Sequence, residues 1–122
     1  MEEKLTDQII GAAIEVHSRL GAGLLESVYE QCLCYELGLR GLKHERQVEL
    51  PIFYKDVALS CGYRADLIVE GAVLLELKAV ERILAVHEAQ LLTYLRLSSI
   101  RVGLLLNFNV SALRHGIVRK VN

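Results

Sequence analysis

The sequence predicts a single α/β domain in which helices flank a mixed central sheet. Apolar residues recur at helical spacing before residue 40 and again between residues 86 and 95, whereas apolar and polar residues alternate between residues 42 and 78. A nearly continuous apolar run at residues 102–106 is typical of a buried central strand. A chain of 122 residues has room for one ordinary core. We therefore expect one domain over residues 1–122, with the order helix, helix, three strands, helix, strand.

Two helices are predicted before the sheet. Apolar residues at helical spacing indicate the first over Leu5–Leu20, and the flexible segment at residues 21–23 should end it. The second should run from about Leu24 to Leu37, where glycines follow.

One face of the second helix carries three polar residues. Glu26, Tyr29 and Glu30 are spaced at i, i+3 and i+4, so they lie together on a helix. They could belong to a functional site. The alternative is an ordinary solvent face at a helix N-terminus, where the helix dipole favours acids.

A β-meander of three strands is expected next, with long first and second members. Pro51 interrupts the first member, which indicates an edge strand or a bulge. Turns are expected at residues 55–56 and 70–71.

Three charged residues interrupt the apolar runs around the second turn. Glu76 and Lys78 share one face of their strand, and a three-residue loop centred on Gly71 would place Asp66 directly opposite Glu76. Opposed residues have Cβ atoms roughly 5 Å apart, so the two carboxylates should repel unless a cation lies between them. A hard ion such as Mg²⁺ prefers such oxygen ligands. The alternative is a solvated pair of little energetic weight.

The last helix and strand should complete the sheet. Val86, Ala89, Leu92 and Leu95 are expected to face the sheet, and Gln90 and Tyr94 share another face with His87. The alternative for that second face is polar cover. The strand–helix–strand connection should be right-handed and lay its two strands parallel, and residues 117–118 are a candidate for a short final strand.

Composition limits the class of protein. The hydrophobic content of 52% indicates a well-buried core, and no segment reaches the ~18 uninterrupted apolar residues of a membrane span. The acidic start of the chain is not typical of a signal peptide. Three cysteines without metal-site spacing favour reduced thiols and a cytoplasmic location. So much apolar content in a small chain also predicts a homodimer.

Charge is unevenly distributed along the chain. Residues 1–50 hold nine acids and five Lys/Arg, a net charge of −4, whereas residues 51–122 hold six acids and nine Lys/Arg, a net charge of +3. A basic C-terminal part beside an acidic pocket would suit a polyanion that meets metal ions. Scattered solubilising charges are the equally weighted alternative.

Four short motifs, in this order, resemble a known family. Residues 23–29 (Gly-Leu-Leu-Glu-Ser-Val-Tyr) resemble the signature of the GxxExxY family, which is similar to the PD-(D/E)XK nuclease superfamily. Asp66 and Glu76-Leu77-Lys78 resemble that superfamily's acid and acid-x-lysine, although Ala65 stands where a proline is common. Residues 90–94 resemble the glutamine-x-x-x-tyrosine motif of RecB-type nucleases. The resemblance covers nearly the whole chain.

The resemblance implies a restriction-endonuclease-like core that hydrolyses phosphodiesters, in DNA, with Mg²⁺ or Mn²⁺. It implies three sets of residues: carboxylate metal ligands, a catalytic lysine and substrate-positioning side chains. The metal ligands would be Asp66, Glu76 and Glu26 with the Leu77 carbonyl; Lys78 would be catalytic; Gln90, Tyr94 and Tyr29 would position the substrate or brace the site.

Two further functions fit the same residues. One is a non-catalytic nucleic-acid-binding or regulatory domain that keeps the nuclease fold. The other is a small structural protein whose charged strand is merely solvated. Metal binding without phosphodiester cleavage would favour the first, and absence of both would favour the second.

Overall fold

The computed structural model describes residues 2–60 and 62–122, and in these ranges it has three α-helices, seven strands and one short 3₁₀ helix, Leu113–Gly116. Their bounds are α1 Glu2–Leu20, α2 Glu26–Leu39, β1 His44–Glu49, β2 Ile52–Tyr54, β3 Val57–Leu59, β4 Arg64–Val69, β5 Val73–Lys78, α3 Ala85–Ser98, β6 Val102–Asn107 and β7 Ile117–Val121. Among these helices, none has the length and apolar character needed to cross a bilayer.

Five strands form a mixed sheet in the order β1-β4-β5-β6-β7. The pair β5–β6 is parallel, as predicted for a strand–helix–strand connection, and the other three pairs are antiparallel. The predicted final strand is present as β7 at one edge.

The predicted long strands of the meander are broken. Strand β1 ends before Pro51, which has no N–H to donate to a neighbouring strand, and β2 and β3 form a separate two-stranded sheet beyond it. The prediction of an edge strand is confirmed, because β1 is the outer strand next to β4.

Helices cover both faces of the sheet. Helices α1 and α2 share one apolar core with the side chains of Val73, Leu75 and Leu77, whereas α3 packs on the opposite face against Leu74. Side chains alternate along β5, so Glu76 also lies on the α3 face.

The prediction for the face of α3 that contacts the sheet is confirmed for Leu95 and wrong for Val86. Leu91, Tyr94 and Leu95 are buried, whereas Val86 is 65% exposed. Gly103 of β6 explains the choice, because a Cβ atom there would lie 2.9 Å from Leu91 Cδ1 and 3.0 Å from Leu95 Cδ2. The missing side chain makes room for these two leucines, which set the rotation of α3 on the sheet.

The carboxyl ends of β5 and β6 are fastened together by Asn107. Its buried side chain accepts a hydrogen bond from the Val80 N–H at 3.1 Å and donates one to the Val80 carbonyl at 2.9 Å. The Phe108 N–H donates to the Lys78 carbonyl at 2.9 Å. These bonds fix the chain directly after Lys78.

A glycine at position 116 should be needed for the hydrogen bonds that join the ends of β5 and β6. A Cβ atom at position 116 would lie 2.2 Å from the Asn107 carbonyl oxygen, which is part of the backbone and cannot move aside cheaply. We expect Gly116→Ala to lower the free energy of unfolding by about 1–3 kcal/mol, measured by urea denaturation.

Gly38→Ala in α2 is the matched control. A Cβ atom there would meet nothing within 4 Å, and alanine is favoured over glycine in helices by up to about 1 kcal/mol. The control should therefore be neutral or stabilising, and an equal loss in both variants would contradict the prediction.

Candidate functional site

The hairpin of β4 and β5 places Asp66 opposite Glu76. Its turn has positive φ at Glu70 (54°) and Gly71 (63°), and the Ala72 N–H donates to the Val69 carbonyl at 3.0 Å, as in a type I′ turn. The backbone register continues from Val69–Val73 to Leu67–Leu75, so the next opposed pair is Asp66 and Glu76.

At this position the carboxylates replace the backbone ladder. The Asp66 N–H donates to Glu76 Oε2 at 2.9 Å, and the Leu77 N–H donates to Asp66 Oδ2 at 2.8 Å. Each carboxyl therefore accepts a hydrogen bond from a backbone N–H of the opposite strand. Glu76 lies on the α3 side of the sheet and is only 6% exposed.

Burial raises the pKa of both acids, and neighbouring acidic charges add to each rise. Burial, followed by the charge of Asp66, raises the pKa of Glu76 to about 8. Burial also raises the pKa of Asp66, against the opposing effect of the Leu77 hydrogen bond. The positive charge of Lys78 lowers the pKa of both carboxyls, but burial outweighs it.

Two further residues join the carboxylate pair: Glu30, from the predicted polar face of α2, and Gln47, which the sequence analysis missed. The amide of Gln47 donates to Asp66 Oδ1 at 3.3 Å and to Glu30 Oε1 at 2.9 Å, and Glu30 Oε2 accepts two hydrogen bonds from Arg46. Glu30 is therefore a buried anchor behind Asp66. Its helical spacing with Glu26 could have indicated this role, whereas nothing in the local sequence singles out Gln47.

Glu26 lies beside the end of β5 but does not join the pair. Its Oε2 accepts a hydrogen bond from the Ala79 N–H at 3.3 Å, and its charge adds to the rise in the pKa of Glu76. Across residues 2–60 and 62–122 there is no group of three or more His, Cys, Asp or Glu side chains arranged to hold a metal ion. The expected cluster of Glu26 with both other acids is thus not assembled in this structure.

Tyr29 does not have the expected place. Its side chain is fully buried and its ring stacks on Phe108, with centroids 4.5 Å apart. Its hydroxyl donates to the Gly21 carbonyl at 2.5 Å and accepts from the Leu24 N–H at 3.2 Å. Tyr29 therefore ties the α1–α2 loop to the core, and the prediction that it positions substrate or supports Glu26 is corrected.

Gln90 and Tyr94 line a cavity of about 180 Å³ on the α3 side of the sheet. Tyr94 is buried and packs edge-to-face on Tyr63, with ring centroids 6.1 Å apart. Burial and then the charge of Glu76 raise the pKa of Tyr94, so this side chain lies within electrostatic reach of the carboxylates.

The donor set suits a hard divalent cation. A carboxylate offers about four lone-pair sites, and the hydrogen bonds described above engage both oxygens of Asp66 but only Oε2 of Glu76. Acceptor capacity remains on both groups. An approaching cation would also offset the charge of Asp66, which contributes to the raised pKa of Glu76.

Glu76→Gln should remove a pH dependence of stability. The folded pKa of about 8 lies above the ordinary value of 4.5, so the folded state retains a proton that the unfolded chain has lost between these values. The stabilisation from this group is complete below pH ~4.5 and is lost as pH rises through ~8. We expect Glu76→Gln to have a larger free energy of unfolding than wild type at pH ~9. Each unit of difference between the folded and unfolded pKa corresponds to ~1.4 kcal/mol, so the gain should be a few times that amount and should shrink towards pH ~5.

Urea denaturation at both pH values checks this expectation, with Glu81→Gln at an exposed position as the control. The glutamine oxygen can still accept the Asp66 N–H, so the variant should fold. A difference between Glu76→Gln and wild type that is the same at both pH values would contradict the assignment of a raised pKa.

Comparison with known proteins agrees with this arrangement. A family model described as the PD-(D/E)XK nuclease superfamily matches residues 3–120. Searches of curated proteins and of solved structures found no match. The five-stranded mixed sheet flanked by helices is consistent with the predicted restriction-endonuclease-like fold, whereas the narrower GxxExxY assignment stays a prediction. Since the family model matches nearly all of the chain, the protein belongs to the PD-(D/E)XK nuclease superfamily.

Proposed function

We propose that residues 1–122 form one nuclease-like domain that hydrolyses phosphodiester bonds in DNA with the help of Mg²⁺ or Mn²⁺. The observation that carries the proposal is the opposed, desolvated pair of Asp66 and Glu76, with Lys78 on the same face of β5. Membership of the superfamily supports nuclease activity, and its nucleases generally use divalent metal ions.

Asp66 and Glu76 would hold the metal ion, with the Leu77 carbonyl as a further ligand. Glu26 would join them by turning from Ala79, because its side chain is exposed and is held there by one hydrogen bond of 3.3 Å. A bound divalent ion supplies a water of lowered pKa and neutralises charge on the phosphate.

Lys78 would act directly on the reacting groups. Its ammonium group, on a half-buried side chain, can orient the attacking water or donate hydrogen bonds to the phosphate oxygens as their charge increases. Gln90 and Tyr94, in the adjacent cavity, would hold the DNA strand. Gln47 would fix the orientation of Asp66 through its hydrogen bond to Oδ1.

Metal binding should be visible as thermal stabilisation. A ligand that binds only the folded state at 100 times its Kd stabilises it by about 2.7 kcal/mol, which is roughly 10 °C for a chain of this size. We expect millimolar Mn²⁺ to raise the Tm of wild type and of Lys78→Ala, but not that of Asp66→Asn. Differential scanning fluorimetry gives the shifts, and calorimetry gives the stoichiometry.

Cleavage is tested with the same three proteins. Single- and double-stranded DNA and RNA are incubated with Mg²⁺ or Mn²⁺, and only the wild type should cut. If Mn²⁺ neither moves the wild-type melting curve nor gives heat in calorimetry, the metal site is wrong and the nuclease proposal fails with it.

A non-catalytic nucleic-acid-binding or regulatory domain is the second candidate. It is favoured by the lack of a three-ligand cluster within the described residues. Binding of metal or nucleic acid by a protein that cuts no substrate would favour it.

We also propose a cytoplasmic homodimer. Free Cys32 and Cys34 support a reducing compartment, and Cys61 lies outside the described residues. Exposed Tyr35 and Leu39 beside a cavity of about 550 Å³ between α1 and α2 support self-association. Light scattering at micromolar concentration should give twice the mass of the chain, and a monomer mass would refute the dimer.

A further inference from the structure

The strands β2 and β3 form a small hairpin, residues 52–59, whose large side chains face solvent. Phe53 is 68% exposed and Tyr54 is 63% exposed. Partners across the hairpin are Phe53–Ala58 and Tyr54–Val57, so its two aromatic rings lie on opposite faces. We call this element the aromatic hairpin.

The aromatic hairpin is continuous with the candidate site. Ile52 shares a face of β2 with Tyr54, and it lines the same cavity as Tyr63, Gln90 and Tyr94. Tyr63 is itself 40% exposed and contacts the ring of Tyr94, which lies within electrostatic reach of Asp66 and Glu76. A series of side chains, namely Tyr54, Ile52, Tyr63 and Tyr94, therefore leads from the tip of the hairpin towards the two carboxylates.

Two cations, Lys55 and Arg64, lie close to these rings, and the nearby acids are Asp56 at the tip and Glu49, which accepts a hydrogen bond from Ser60 at the base. Lys55 lies at the hairpin tip with its Nζ 5.5 Å from the centroid of the Tyr54 ring, and Arg64 follows at the start of β4. Asp56 is the one acid between residues 50 and 65. Subunit interfaces are depleted of lysine, so a cation between exposed rings favours nucleic acid over a second copy of the chain.

The low net charge of the chain favours single-stranded over duplex DNA as the ligand. Proteins that bind duplex DNA gain most of their affinity from many phosphate contacts made by Lys and Arg, whereas this chain has a net charge of −1. Aromatic rings contribute by stacking, which requires bases whose faces are not already covered in a duplex.

We infer that the aromatic hairpin binds unpaired bases, so the substrate of this nuclease is DNA with a single-stranded segment next to the scissile bond. This inference rests on the proposed function and narrows its substrate. Tyr54 stacks on a base, Lys55 contacts the neighbouring phosphate, and Tyr63 carries the strand on towards Asp66 and Glu76.

Binding is tested without cleavage. Fluorescence anisotropy in EDTA compares a labelled thymidine oligonucleotide of about 20 nucleotides with a duplex of equal length. Wild type should bind the single strand at least about tenfold more tightly. Tyr54→Ala should weaken single-strand binding by roughly 5- to 150-fold, the range expected for one stacked base, and Tyr54→Phe should restore it.

Ile14→Ala is the matched control, because Ile14 is a 44% exposed apolar residue on α1, outside this series of side chains. It should leave single-strand binding unchanged. Equal affinity for duplex and single strand, equal effects of Tyr54→Ala and Ile14→Ala, or a change in oligomer mass by Tyr54→Ala with unchanged DNA affinity would each overturn the inference.

The outcomes separate this inference from the proposed function. Metal-dependent cutting of duplex DNA without preference for single strands, abolished by Lys78→Ala, would overturn the inference and leave the nuclease standing. Tyr54-dependent binding of single strands without cleavage of any nucleic acid would support the binding of unpaired bases by the aromatic hairpin and would overturn the nuclease activity.

Discussion

The structure depends on two crossed hydrogen bonds between β4 and β5. The Asp66 N–H is bound by the Glu76 carboxyl, and the Leu77 N–H is bound by the Asp66 carboxyl. A buried amide without a partner is costly, so these side chains complete the sheet where the backbone ladder stops. Strand pairing and the burial of acidic groups are therefore inseparable, because moving either carboxyl leaves an amide of the sheet without its partner.

The hydrogen bonds around Asp66 support its pairing with Glu76, but they accompany an uncommon backbone conformation at Gln47. Gln47 has φ of 49°, a left-handed conformation that is uncommon for a residue with a side chain. The strand keeps this conformation while the Gln47 amide connects Glu30 with Asp66. Backbone strain of this kind persists where the surroundings hold it, and it concentrates at functional sites. The position of Gln47 next to Asp66 is consistent with that tendency.

Local patterns predicted the centre of the site, and long-range packing determined the rest. The opposition of Asp66 and Glu76 follows from the loop between them, because a hairpin's register is set within a few residues. The link from Glu30 to Gln47 joins a helix to an edge strand, so no local periodicity indicates it. Tyr29 has helical spacing with Glu26, yet its contact with Phe108 from beyond β6 draws it into the core.

The rotation of α3 on the sheet also depends on packing that local spacing does not predict. Spacing alone allowed Val86 to face the sheet together with Leu95, but the space above Gly103 receives Leu91 beside Leu95 and leaves Val86 exposed. Similarly, Pro51 indicated an interruption without revealing that the chain beyond it forms a separate hairpin. For the rotation of α3, the deciding atoms belong to β6, a different segment of the chain. For the interruption at Pro51, they belong to the solvent-exposed end of a strand.

The two edge strands of the sheet carry residues that oppose aggregation. Strand β1 exposes Glu45, Arg46 and Glu49 and is stopped by Pro51, while β7 carries Arg119 and Lys120. Charged side chains and proline at an edge oppose the addition of a further strand from another molecule. These features of both edges oppose growth of the sheet by edge-to-edge pairing, despite the high apolar content of the chain.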